Sequence, residues 1–403
     1  MKEPTLSEAD AASRRSVAAR SSFATMALVV ASTSFNAVTA DAIVSAMPQM
    51  SKEFGTGGQA AFLVQMILVA PSISIIVGAP LAGYIVRLVG MRALMLPALV
   101  LYALAGGYGY FAADSVSLIG SRVILGFVSG LLGAATLARA AEFDTPVQNR
   151  LLGFANAMAA TTAIGSFVLG GWLAAAFGWR TANLAYLWSL AVIPLVILSS
   201  PKAAPDDANE ASRAGTGFPW IATLPVYLLS LMVFMIVYGP SIQGPFVLAQ
   251  RGMTDPAEIG IAISAPAFTC VLAGAAYGPL ARLLSRGMQY VAFFALFLAS
   301  TAITAFSSSL TFTVIGLSIT GFGSGILSPL LLSTLMRKVP RRHIATAAGL
   351  FASATYVGVF FAPPTYRLIT TVTPLSVFEG LAVGAAIGLV LSLLLMMTGR
   401  IRA

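Results

Sequence analysis

Twelve times along its 403 residues this chain runs through about 20 or more mostly apolar residues and then breaks at a short polar or charged stretch. No other feature constrains its fold as strongly. About 20 apolar residues let a helix cross the hydrocarbon of a bilayer. The pattern therefore predicts an all-α polytopic membrane protein with spans near 22–48, 58–83, 93–112, 116–139, 150–175, 180–199, 218–240, 257–282, 288–306, 310–336, 343–369 and 374–398. Composition enters as a check. Only 9% of the residues are charged, whereas a water-soluble domain carries roughly 25%, so lipid is the natural solvent.

Charge placement orients the spans. With the N-terminus in the cytoplasm, eighteen Lys and Arg fall on that side. Lys52, Arg180, Arg251 and Arg367 fall on the other, and Arg122 stays within the membrane. Cytoplasmic loops carry such an excess, so both termini are expected in the cytoplasm. The same distribution argues against nucleic acid as the partner of a chain of net charge +9, because the cations spread over one side's loops rather than forming a patch. Residues 1–21 contain seven charged side chains and no apolar core, so they read as a cytoplasmic tail, not a signal peptide. Residues 200–217, SPKAAPDDANEASRAGTG, read as a cytoplasmic linker between six-helix bundles at 22–199 and 218–398, and 399–403 as a second tail. One cysteine, Cys270, lies inside an apolar run and reads as a small buried hydrophobe.

The two halves repeat. Gly126-Phe127-Val128-Ser129-Gly130 matches Gly321-Phe322-Gly323-Ser324-Gly325 at an offset of 195, and Gly83-x-x-x-Arg87 matches Gly278-x-x-x-Arg282 at the same offset. Leu152-Gly153 aligns with Ala348-Gly349 at 196. Many transporters are built from such repeats, with a solute site between them near the membrane midplane. The expected architecture is two six-helix repeats around a central cavity.

The residues now on the page resemble the major facilitator superfamily over nearly the whole chain. Gly83-Tyr84-Ile85-Val86-Arg87-Leu88-Val89-Gly90-Met91-Arg92 is similar to the family's loop between spans 2 and 3, with Arg87 where the family carries an acid. Arg122 followed by Gly126 and Gly130 looks like the family's span 4 motif. Gly170-Gly171 and Phe177-Gly178-Trp179-Arg180 resemble an exporter signature, with Ser166-Phe167 in place of Gly-Pro and proline retained in the other half at Pro363-Pro364. Asp41, seven residues before Pro48, is similar to span 1 of 12-span drug–proton antiporters of the bicyclomycin-resistance type. The resemblance implies a monomeric secondary transporter in a bacterial inner membrane, moving protons and a small solute by alternating access without a cofactor.

An ionisable residue inside a span is a functional hypothesis by default. Asp41 and Arg122 stand at similar depths in the first half, and their repeat positions, Ile236 and Leu317, are apolar. They are the expected proton-coupling residues, with Arg122 also able to anchor an anionic group; the alternative is a structural ion pair. On a helical wheel Asn36 lies about 140° from Asp41 and is expected to face another helix. Gln65, Asn156, Tyr238, Gln243 and Tyr356 are candidates for lining the cavity. Arg367, Glu379 and His343 read as interfacial or loop residues. There is no phosphate loop, no Cys/His cluster with metal spacing, and the only histidine is remote from Asp41, so neither ATP hydrolysis, a metal site nor a catalytic triad is expected. Three functions remain: export of a small amphipathic compound, proton-coupled uptake of an organic anion, and a membrane sensor that binds solute without moving it.

Overall fold

The computed structural model describes residues 23–55, 57–140, 143, 145–199, 218–340 and 343–398. The expected tails and linker lie outside the described residues. Within these, twelve helices are long and apolar enough to cross a membrane. They are α1 Phe23–Glu53, α2 Gly57–Val89, α3 Met91–Tyr110, α4 Ser115–Leu137, α5 Gly153–Phe177, α6 Trp179–Leu198, α7 Trp220–Gln250, α8 Pro256–Leu283, α9 Arg286–Phe306, α10 Leu310–Met336, α11 Thr346–Val372 and α12 Val377–Met397. Twelve crossings return the chain to the face on which it began, here called the terminal face.

Two expected spans were cut short, and for one reason. α1 is helical over Ser34–Asp41, turns, tightens into a 3-10 turn at Val44–Ala46 and resumes at Met47–Glu53. Pro48 marks the restart, not the end: in the first turn of a helix its missing N–H costs nothing. α7 runs Trp220–Val237, turns at Tyr238 and resumes at Gly239–Gln250, again with proline in the first turn. The break after Asp41 and the break at Tyr238 occupy equivalent places in the two repeats.

The repeat offset also recurs as packing. A Cβ at Gly126 of α4 would strike the carbonyl oxygen of Pro71 of α2, and one at Gly321 of α10 would strike that of Pro266 of α8. Gly130 meets the Ile75 carbonyl as Gly325 meets the Cys270 carbonyl. Each pair is related by the 195 offset. Small residues on such seams let helix backbones touch, which dispersion rewards in lipid.

Two glycines need their left-handed backbone. Gly90 (φ 85°) turns α2 into α3, and Gly178 (φ 89°) turns α5 into α6. Each is followed two residues later by an arginine that reaches a helix C-terminal end. Arg92 donates to the carbonyls of Ile197 (2.9 Å) and Ser199 at the end of α6. Arg180 donates to the carbonyl of Ala112 (3.2 Å) just beyond α3, and pairs with Glu53 at the end of α1 (2.6 Å). Cations at helix C-termini meet the orphan carbonyls and the negative end of the dipole. Gly83, by contrast, has open space where a Cβ would stand.

The distribution of the core shows which way the molecule opens. One continuous cluster joins α1–α6 to residues in the halves of α7, α8, α10, α11 and α12 remote from the terminal face, including Ile242, Ile259, Leu317 and Tyr366. Toward the terminal face the core divides into clusters that belong to one bundle each. The bundles are thus sealed together on the far side and parted on the terminal side. The seal includes Gly171 against the Pro256 carbonyl, Gly260 against the Phe167 carbonyl, and the Arg367 guanidinium 4.7 Å from the Phe62 ring centroid. Glu379 does not meet Arg367; it closes a capping box with Ser376. The His343 ring packs edge-on to Phe218 at 5.6 Å.

Candidate functional site

Between the bundles lies a cavity whose free space, open solvent at its mouth included, is about 520 Å³. α1 lines it with Asn36, Thr39, Ala40, Asp41 and Val44, and α2 with Leu68, Val69, Pro71, Ser72 and Ile75. α7 contributes Tyr238, Ser241 and Ile242, and α11 contributes Tyr356 and Val359. The wall is thus mostly apolar, with two tyrosines, a few hydroxyls, one amide and one carboxyl. Both helix breaks open onto it, and the residues at those breaks, Asp41 and Tyr238, are among its lining.

Asp41 ends the helical stretch Ser34–Asp41. Among the described residues no donor or cation lies within bonding distance of its carboxylate. Gly170 shapes this corner. A Cβ there would strike the carbonyl of Ala42, so glycine lets α5 press against the broken backbone beside Asp41.

Arg122 is not in the cavity wall. Its side chain is 1% exposed inside the first bundle. Nη2 donates to Asn183 Oδ1, and the guanidinium carbon sits 4.8 Å from the centroid of the Tyr186 ring. Nε, Nη1 and the Tyr186 hydroxyl have no partner among the described residues. α6 explains the arrangement. Over Trp179–Val192 it winds as a 3-10 helix, and in such a helix residues three apart eclipse one another. Asn183, Tyr186 and Ser189 therefore form one inward row: the first two hold Arg122, and the third donates to the Leu99 carbonyl (2.9 Å). The structure does not bring Asp41 and Arg122 into an ion pair.

A chain of hydroxyls connects the cavity wall to this interior. Tyr102 donates to the Phe35 carbonyl (2.9 Å) and lies 2.9 Å from Thr39 Oγ1. Thr39 donates to Ser129 (3.3 Å), and Ser129 donates to Asn36 Oδ1 (2.7 Å). Asn36, expected to face another helix, bonds α4 and lines the cavity as well. Tyr102 in turn packs edge-on to Tyr186, ring centroids 6.1 Å apart.

The other candidates divide. Tyr238 and Tyr356 line the cavity. Gln65 and Gln243 bond each other across the bundles (3.3 Å) on its far side, closing it rather than lining it. Asn156 is exposed on the terminal half of α5, away from the enclosed space. Pro363 is buried within α11.

Asn183→Leu removes the one hydrogen bond that Arg122 makes among the described residues and leaves its buried charge without that partner. Bonds to charged groups contribute about 1.5–3 kcal/mol. The variant is expected to unfold at a lower temperature than wild type in detergent, and an unchanged midpoint would show that the bond contributes little.

A Major Facilitator Superfamily model matches residues 29–363. A search of curated protein sequences gives no match. Among solved structures, a D-xylose–proton symporter is similar at 14% identity and TM-score 0.71, over 92% of this chain and 95% of that one. The POT family transporter PepTSo is similar at 10% identity and TM-score 0.72, over 93% and 97%. The xylose transporter XylE from E. coli, in an inward open conformation, is similar at 14% identity and TM-score 0.67, over 92% and 95%. With twelve spanning helices in two repeats around a cavity, and a family match over most of its length, the chain belongs to the major facilitator superfamily.

Proposed function

We propose that this chain exchanges protons for a small amphipathic compound, exporting it across a bacterial inner membrane by alternating access. It works as a monomer with both termini in the cytoplasm. Two units, 22–199 and 218–398, rock about the cavity, joined by 200–217. The excess of Lys and Arg on the terminal side supports a cytoplasmic position for that side, with the open cleft facing inward.

One observation carries the reading: Asp41 is a carboxyl in a mostly apolar cavity with no cation beside it. Charge at such depth is expensive and is kept for a task. Protonated, Asp41 suits the apolar wall. Ionised, it needs a cation. A proton and a cationic amphipathic solute therefore compete for one group, and that competition is antiport. Arg122 acts from one aromatic layer away, as a fixed charge whose distance from the cavity sets the cavity's proton affinity.

Uptake of an organic anion would need a cation in the cavity wall. Arg122, held by Asn183 and Tyr186, stands outside that wall, which weighs against uptake. The test is transport in proteoliposomes with an acidic interior, reading interior pH while organic cations and organic acids are offered. A cation that accumulates as the interior loses protons supports exchange. Protons entering together with an anion would overturn it in favour of uptake. A compound that binds without moving would make the protein a sensor.

A further inference from the structure

Asn36 precedes Asp41 by five residues on α1, about 7.5 Å along the helix axis, and both line the cavity. A side-chain amide has an acceptor end and a donor end. Here the acceptor is taken, because the Ser129 hydroxyl donates to Oδ1 over 2.7 Å. Three hydroxyl protons serve four contacts: Tyr102 shares its proton between the Phe35 carbonyl and Thr39, Thr39 donates to Ser129, and Ser129 donates to Asn36 Oδ1. Ser129, Thr39 and Tyr102 are all buried, so the platform is rigid. The donor end, Nδ2, has no hydrogen-bond partner among the described residues. It stands beside Gly133 of α4, where a Cβ would come within 3.1 Å of it. The missing side chain leaves a notch next to a free N–H pair.

The geometry points to Asn36 Nδ2 as a donor subsite that selects cavity ligands bearing a hydrogen-bond-accepting oxygen, of the amide or ester carbonyl class, on the same molecule as the cation received by Asp41. Ser129 is its positioning residue and does not touch the ligand. The inference rests on the reading of the cavity as a site for organic cations.

The test is equilibrium binding of two radiolabelled monocations to the purified full chain. N-(2-aminoethyl)benzamide and 4-phenylbutylamine have chains of equal length and differ in C(O)–NH against CH2–CH2. Wild type is expected to bind the benzamide about fivefold more tightly, the yield of one neutral hydrogen bond. In Asn36→Leu the ratio falls to about one. Ser129→Ala, which frees the amide to turn, lowers the ratio, while Ser129→Thr keeps it. Gly133→Ala fills the notch without touching the hydroxyl chain and also lowers it, which covers the case of a Leu variant that fails to fold. Equal binding of both amines by wild type, or a ratio that survives in Asn36→Leu, overturns the subsite and leaves the cation cavity standing. If wild type binds neither amine at millimolar concentration, the cavity reading and the subsite fall together.

Discussion

Asp41→Asn abolishes proton-driven accumulation of solute and leaves exchange of solute for solute running. The amide has the size of the carboxyl and keeps its hydrogen-bonding reach, but it can neither take up nor release a proton. A cavity that is neutral in every state still alternates but receives a cation less tightly for want of the carboxylate, so a compound preloaded on one side continues to exchange once its concentration is raised. The pH gradient no longer has a handle. In acid-loaded vesicles, accumulation is expected to fall to background, and solute addition should no longer release protons. The comparison is decisive because nothing else in the cavity wall titrates near neutral pH: its other polar groups are hydroxyls, phenols and one amide. A variant that couples as well as wild type would make Asp41 a structural residue and end the proposed mechanism.

Gly260→Val is expected to invert the resting conformation. A Cβ at this position of α8 would strike the Phe167 carbonyl oxygen of α5 and come within 3.1 Å of Ser45 Oγ of α1. The first obstacle is backbone and cannot swing aside. Overpacking a close contact costs typically about 1–3 kcal/mol, and here the cost falls only on states in which the far side is sealed. The ratio of inward-open to outward-open molecules should drop about 5-fold to 150-fold. Lys52 and Glu258 lie exposed on the far face, one in each bundle. Spin labels at Lys52→Cys and Glu258→Cys, with Cys270→Ser, should report a longer distance in the Gly260→Val background, and transport should slow. An unchanged distance distribution with intact transport would show that the seal tolerates the added bulk.

Much of this was written in the residues, and the failures share a cause. The twelve apolar runs and the 195-residue repeat describe the architecture, since a bilayer fixes span length and the repeat fixes symmetry. Four of the glycines that revealed the repeat, Gly126, Gly130, Gly321 and Gly325, turn out to be its packing seams. Asp41 was visible because charge inside a span is rare. What the sequence hid was every departure from a straight α-helix. The breaks after Asp41 and at Tyr238 displaced the expected ends of both spans. Placing Asn36 on a regular wheel gave it a single role, yet it both bonds Ser129 of α4 and lines the cavity. Arg122 suggested an acidic partner because charge complementarity is the simplest reading. Its actual partners come from Asn183 and Tyr186, whose spacing of three drifts across an α-helical face and aligns only when the helix tightens. Gln65 and Gln243 were legible as polar, while their meeting across the bundles depends on a conformation that sequence does not state.

The tight winding of α6 also settles how far that helix can reach. Its 20 residues would cover about 30 Å as an α-helix. Fourteen of them rise about 2.0 Å each in 3-10 form, which brings the total to about 37 Å. One of the two 20-residue crossings in the first bundle thereby reaches as far as an α-helix of about 25 residues. It also holds a reserve. Rewinding those fourteen residues to 3.6 per turn would shorten α6 by about 7 Å and rotate Tyr186 relative to Asn183. Such a change of pitch would draw together the two ends of α6, which Arg180 and Arg92 tie to the neighbouring helices.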